Sequence, residues 1–348
     1  MFFTILIVII SIVGLLALHE FGHFIVAKSF GMKVEEFGIG YPPKVFGKKI
    51  GETIYSLNLL PFGAFVKIPG LEKEEDGKKI VAWKKALVLL GGVVSFWIIA
   101  AILLSIVFFT GVPQAVSDEA NGGLIDPRIQ VLSISSGSPA EEAGIGIGDT
   151  IKDFETVSSI QKFTEEHKGK EVTLTIQRGK EIFDVSLIPR VAPPEGEGAI
   201  GVALVRTAEK SYSLWQAPIK GIEATINLTG AIFAGWGSIL TSLSRGEGMP
   251  AGAQVVGIIG IGSLLAQAAQ VGINYFIQFI AMIAVYLAIL NILPIPALDG
   301  GKLLFIIIGK IKGTPVNQKI EERITAAVFC VLILLMAFIT IQDVIRLF

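Results

Sequence analysis

The sequence predicts an α-helical polytopic membrane protein carrying a membrane-associated β-hairpin and an inserted α+β domain. Three observations carry that expectation: long stretches without a charge, lysines gathered in two of the connections between them, and one stretch patterned like a soluble module. Of the 348 residues 52% are hydrophobic and 17% charged, whereas soluble domains carry roughly 25% charged residues. With 29 basic and 30 acidic residues the net charge is −1, so no basic face is implied and nucleic acid is not an expected partner. The single cysteine, Cys330, excludes an intramolecular disulfide and any multi-cysteine zinc site. Metal chemistry must therefore rest on His, Asp and Glu.

Residues 1–18, 86–117, 224–244, 248–298 and 324–342 carry no charge. About 20 apolar residues cross a bilayer as a helix, so these stretches read as spans in contact with lipid. The first lacks the basic start and the small-residue cleavage site of a secretory signal, which predicts a retained helix. Stretches 224–244 and 254–271 are rich in Gly, Ala and Ser, and the first follows the amphipathic segment 215–220. Residues 193–271 are read as a linker with amphipathic or re-entrant helices, of which one or both lie along the interface, or both cross. Four core helices are expected, at 1–30, 86–110, 272–301 and 324–346, with six as the alternative. Residues 28–85 hold eleven lysines and residues 302–323 five basic residues, which places both connections on the cytoplasmic side. Both termini and residues 111–211 are then external, in a multi-pass protein of the inner (plasma) membrane.

Between residues 129 and 190 charges recur every few positions and strands are short. Residues 171–177 and 181–188 alternate around a turn at Arg178, Gly179 and Lys180, the pattern of a β-hairpin. Ser138 followed by Pro139 starts a short helix that Gly144 ends, and Gly148-Asp149 opens the next strand. Pro189, Pro193 and Pro194 mark the start of a linker. Through 137–140, 143–144 and 148–151, residues 120–192 resemble a PDZ domain of the bacterial type. Such a domain takes an extended peptide as an added strand beside a glycine-containing carboxylate loop. Residues 122–125 are the candidate loop, and a plain steric gate is the alternative reading.

The chemistry starts at His19, Glu20 and His23, an H-E-x-x-H pattern directly after the 18-residue uncharged run. Four positions apart on a helix, His19 and His23 stand one above the other, so both imidazoles reach one zinc ion. Glu20 sits beside them as the general base of a hydrolysis. Polar groups are costly in that setting and usually functional, and the motif uses two of the three histidines in the chain. His167, in an acidic stretch, is expected to be a solvated surface residue. Catalytic zinc usually keeps three protein ligands, and Asp299 is the candidate for the third because it ends the 51-residue uncharged run 248–298. A helix cap is the other reading of Asp299. Pro294 and Pro296 break the helix just before it, and broken backbone at membrane depth is tolerated only in protein or beside a wet cavity. Asn291 is positioned to bond a substrate carbonyl or oxyanion, or else a neighbouring helix.

Taken together, 19–23, the Asn-x-x-Pro-x-Pro-x-Leu-Asp-Gly segment 291–300 and the PDZ-like insertion between them resemble the site-2 protease family of intramembrane metalloproteases. Residues 38–40, 60–67 and 310–315 extend the likeness to nearly the whole chain. The resemblance implies that His19, His23 and Asp299 bind Zn2+, that Glu20 is the base and that Asn291 assists substrate or transition-state binding. It further implies single-span membrane proteins as substrates, an anti-sigma factor among them, and a membrane-associated hairpin from 54–58 and 64–68, whose edge pairs with an unwound substrate helix. One PDZ-like domain stands where bacterial relatives carry two in tandem, and Lys302 follows Gly300-Gly301 where the family often has His. Two other functions compete: a membrane-embedded zinc protease with a glutamate ligand that cuts outside the bilayer, and a non-catalytic adaptor that presents the PDZ-like domain.

Overall fold

The computed structural model describes residues 2–71, 80–119, 125–135, 137–179, 181–194, 196–246 and 256–347. The chain forms two compact units, one of residues 1–106 with 218–348 and one of residues 107–217.

The first unit opens with α1 (Phe2–Ser29), a helix because apolar backbone in lipid must satisfy its hydrogen bonds internally. It stops at Gly31, whose φ of +67° lets Met32 N reach back to Ala27 O, a Schellman ending. The strands β1 (Glu36–Ile50) and β2 (Thr53–Lys67) then form a folded hairpin. Its register is double. Glu36 to Ile39 meets Ile54 to Leu57 in the same direction and Lys67 to Ala64 in the opposite one, so the start of β1 lies between the two halves of β2. Asn58 holds the crossing point, donating through Nδ2 to Gly40 O at 3.1 Å, and Gly40 takes a φ of +78° to present that carbonyl. The helix α2 (Ala82–Thr110) leads out of this half of the unit.

The second unit holds β3 (Val112–Ala115), β4 (Ile125–Ile134), α3 (Pro139–Glu142), β5 (Thr150–Ile151), α4 (Val157–Glu166), β6 (Val172–Arg178), β7 (Glu181–Leu187) and β8 (Val202–Lys210). Its sheet order is β3-β8-β4-β5-β6-β7. Alternating side chains of β4, β6 and β7 bury Ile129, Val131, Leu174, Ile176 and Val185 together with Ile160 of α4. Ser138 Oγ caps α3, and Asp118 caps α4 by accepting from Val157 N and Ser158 N. His167 ends α4 with Nδ1 donating to Phe163 O at 2.9 Å. The loop candidate 122–125 lies, but for Ile125, outside the described residues.

One ion pair fastens this unit. Asp149 is 1% exposed and accepts two bonds of 2.8 Å from Arg178 Nε and Nη2, with a third from Gly146 N at 2.7 Å. Asp149→Ala removes the buried acceptor that Arg178 and Gly146 N share, so the unfolding free energy of this unit, read from denaturant unfolding, should drop by about 2 kcal/mol. A change near zero would show the pair to be peripheral.

The chain returns to the first unit through α5 (Gln216–Ser244), α6 (Ile258–Val271), α7 (Ile273–Ile292), α8 (Asp299–Lys312) and α9 (Gln318–Leu347). Sequence reading left the nature of 224–244 open; it is part of one 29-residue helix, running antiparallel to α2. Trp97 Nε1 donates to Thr229 Oγ1 at 3.2 Å, and Gly221 sits so near Ala101 O and Ser105 that a Cβ there would approach to 2.5 Å or less. α6 has 14 residues, too few to cross a bilayer as a helix, and packs Leu265 against Val8 of α1 and Phe276 of α7. Asp343 of α9 accepts from Gly260 N at 2.9 Å and so closes the first turn of α6. Among the described residues five helices, α1, α2, α5, α7 and α9, are long and apolar enough to span a membrane by length and composition, a number that matches neither the four expected nor the alternative of six. The protein is a polytopic membrane protein with β elements.

Candidate metal centre

The centre is assembled from α1, α2 and the start of α8. His19 and His23 are 7% and 5% exposed, one turn apart on α1, with their Nε2 atoms 3.2 Å from each other. Asp299 Oδ2 lies 3.2 Å from His19 Nε2 and 3.3 Å from His23 Nε2. The three atoms form a nearly equilateral triangle. Ligands at the 2.0–2.1 Å bond lengths of tetrahedral zinc stand about 3.3 Å apart, so the triangle fits that ion.

The protonation chemistry agrees. His23 Nδ1 lies 2.8 Å from Val88 O, and since a carbonyl only accepts, Nδ1 carries the hydrogen and Nε2 keeps its lone pair for the centre. Asp299 Oδ2 is buried with no hydrogen-bond donor among the described residues, a costly state for a carboxylate oxygen unless a cation completes it. Glu20 has a carboxylate oxygen within 4.8 Å of the histidine ligand atoms and lines the adjoining cavity.

α2 supplies the cradle from one face, at Val88, Gly92 and Phe96, four residues apart. Phe96, fully buried, stacks on His19 with centroids 4.5 Å apart and planes 14° from parallel. A Cβ on Gly92 would fall 2.2 Å from the His23 ring, and one on Gly22 would fall 2.5 Å from Gly91 O. Small residues on both helices thus let the backbones meet and leave the imidazole its place. Neither Gly91-Gly92 nor Phe96 was singled out in the sequence; the signal available was a glycine pair inside an apolar span. Gly92→Ala should displace His23 and lower bound zinc and turnover at least tenfold, read by metal analysis and cleavage on the same preparation. Wild-type zinc content in that variant would contradict the cradle.

The double glycine after Asp299 has a similar cause. The segment broken by Pro294 and Pro296 folds over the first turn of α8, so that a Cβ on Gly300 would meet Leu293 O at 2.2 Å and one on Gly301 would meet Ile295 O at 2.3 Å. Ala297 takes a φ of +93°, a left-handed conformation that costs an alanine energy and is held by this fold-back. The structure does not bring Asn291 to the cavity: its Nδ2 donates to Leu287 O, one turn back on α7, at 2.9 Å, and it is absent from the described lining. His167 belongs to the other unit.

The cavity measures ≈440 Å³ and is bounded by Glu20, His23 and Asp299 on one side and by residues 64–71 on the other. A triangle of metal-ligand atoms between a membrane helix and the start of α8, with a carboxylate at its side and a strand along its cavity, fits the class of membrane-embedded metallopeptidases. Comparison with known proteins agrees with that class: the model of peptidase family M50 matches residues 7–335, and the chain belongs to this family. It is a zinc metalloprotease. A Clostridium perfringens relative described as a zinc metalloprotease is 33% identical over 95% of this chain and 96% of its own. The regulator of sigma-W protease RasP of Bacillus subtilis is 26% identical over 100% of both chains. The regulator of sigma E protease of Haemophilus influenzae is 26% identical over 97% of this chain and 98% of its own.

Proposed function

We propose that His19, His23 and Asp299 hold the zinc ion, that Glu20 is the general base, and that the substrate is a transmembrane segment cut within the bilayer after it has been drawn into an extended strand. The observation that carries this reading is the triangle of ligand atoms set on a membrane helix beside an open strand edge. Bound zinc supplies an acidified water and a Lewis acid for the scissile carbonyl. Glu20 accepts a proton from the attacking water and delivers it to the leaving nitrogen. The Val88 carbonyl keeps His23 oriented, and Phe96 keeps His19 stacked and dry.

A helical substrate hides its peptide bonds in its own hydrogen bonds, and unwinding it in hydrocarbon requires replacement partners. Residues 64–67 pair with β1 on one side, have no strand partner on the other among the described residues, and line the cavity. That edge is suited to take the unwound segment as an added strand. Asn291 reaches such a strand only by giving up its bond to Leu287 O.

The lysine-rich connections put residues 28–85 and 302–323 on the cytoplasmic side and the second unit outside. An even number of crossings must then separate α2 from α7, and we assign one of them to α5. The packing of α6 on Val8 and Asp343, near the two termini, accords with an external α6. In the second unit, β3 covers β8 only from Thr207 to Lys210, with Val116 N bonded to Arg206 O. Gly201 O faces β4, where it accepts from Ser135 N, so by alternation Val202 and Leu204 offer their backbone groups to the open edge. The PDZ-like reading therefore places an incoming peptide on β8 beside the loop 198–201. Two relatives carry the names regulator of sigma-W protease and regulator of sigma E protease, and single-span proteins, an anti-sigma factor among them, are the substrate class we assign.

The test is to map the new termini, by mass spectrometry, of a single-span reporter incubated with the purified chain in lipid nanodiscs. Termini inside the hydrophobic segment support the reading, whereas termini only in the flanking loops favour a protease working outside the bilayer.

A further inference from the structure

We propose that Lys302 is a catalytic residue of this protease, donating from its ammonium to the scissile carbonyl oxygen as that oxygen becomes an oxyanion. The inference deepens the proteolytic reading and rests on it. Among the described residues lining the cavity, two are cations, Lys67 and Lys302. Lys67 is held at the rim, with Nζ 2.9 Å from Glu35 Oε2 and a largely exposed side chain. Lys302 stands three residues after Asp299 on α8, on the same face by helical geometry, and lines the same cavity as Glu20, His23 and Asp299. It is half-buried.

Peptide hydrolysis demands such a group. Water oxygen bonds to the carbonyl carbon, one water proton passes through Glu20 to the nitrogen, and the C–N bond breaks to leave a carboxylic acid and an amine, the acid then giving up water's second proton to the released amine or to solvent. Between these events the former carbonyl oxygen carries a negative charge, and in a water-poor site a fixed donor at that oxygen is the largest single contribution available to protein groups. The amide expected to serve, Asn291, donates to Leu287 O and is not in the described lining of the cavity. Lys302 keeps its proton throughout, so the step balances without any further reactant.

The test compares wild type with Lys302→Met, which keeps the stem and removes the charge, and Lys302→Arg, which keeps the charge; Lys302→Gln serves if the Met variant does not fold. The neutral variants should lose roughly 10²–10³-fold in kcat with KM changed less than about threefold. The Arg variant should recover part of that loss, and zinc content and thermal midpoint should stay at wild-type values. A phosphonamidate peptide of the reporter sequence, whose phosphoryl oxygens imitate the oxyanion, should bind the neutral variants more weakly by a similar factor. Its binding is read by calorimetry without turnover. A folded, zinc-loaded neutral variant with wild-type kcat, or with undiminished phosphonamidate binding, overturns the role of Lys302 while leaving Glu20 and the protease reading intact. Loss of zinc in the Met and Arg variants alike would make Lys302 structural and equally overturn it.

Discussion

Replacing Glu20 with Gln should reduce cleavage of a single-span reporter by roughly 10²–10⁴-fold while the protein retains its zinc. The substitution changes one oxygen to an amide nitrogen, leaves the size of the side chain intact and touches neither histidine, so Nε2 of His19 and His23 still face Asp299 at 3.2 and 3.3 Å. What it removes is the only function an amide cannot perform, accepting and passing on a proton. Paired metal analysis and cleavage rates therefore give opposite answers in this variant: full metal, almost no turnover. Equal cleavage by both proteins would mean that Glu20 is not the base. Loss of zinc along with turnover would mean that Glu20 belongs to the ligand set.

Substituting Asp299 by Ala has the second largest expected effect, and it falls on binding first. Second-shell partners of a metal are typically worth ten- to a hundredfold in affinity, and a ligand should be worth more, so zinc affinity should fall by well over about 10²-fold. Turnover should fall with it. The two histidines would be left with one edge of the triangle, 3.2 Å long, and no carboxylate to balance the charge of the ion. The measurement is competition against a zinc chelator of known affinity, run on wild type and variant in the same detergent. A metalloprotease that drew its third ligand from a glutamate would keep its zinc when Asp299 is removed, and that result would replace the present centre with another.

Much of the centre could be read in the chain because its signals are local or are breaks in a strong background. His19 and His23 are four residues apart, and helical geometry alone stacks them. Asp299 announces itself as the first charge after 51 uncharged residues. The rest depends on contacts between elements distant in sequence, which leave weak local traces. The cradle of Val88, Gly92 and Phe96 is legible only once α2 is known to face α1, because a glycine in an apolar helix marks close approach without naming the partner. The hairpin shows the same limit: alternating residues announce strands at 54–58 and 64–68, but nothing local shows that Glu36 to Ile39 pairs with both. Asn291 fails for a different reason. Any asparagine within a helix has the carbonyl one turn back within reach, and residue type cannot say whether the amide turns there or toward a cavity. What composition left open for 224–244 and 254–271 was their partners and the length of the second stretch. Gly, Ala and Ser are frequent wherever helices pack closely, and that Gly221 and Thr229 meet α2 is visible only in three dimensions.

The central claim is that two imidazoles of α1 and one carboxylate of α8 hold the zinc ion, and X-ray absorption at the zinc edge of the purified, loaded protein tests it most directly. The account predicts a first shell of two nitrogen scatterers with imidazole outer-shell features and oxygen neighbours, all at about 2.0–2.2 Å, with the histidine signature lost in His19→Ala/His23→Ala protein. A spectrum with sulfur at about 2.3 Å, or one unchanged by the loss of both histidines, would place the metal elsewhere and contradict the account.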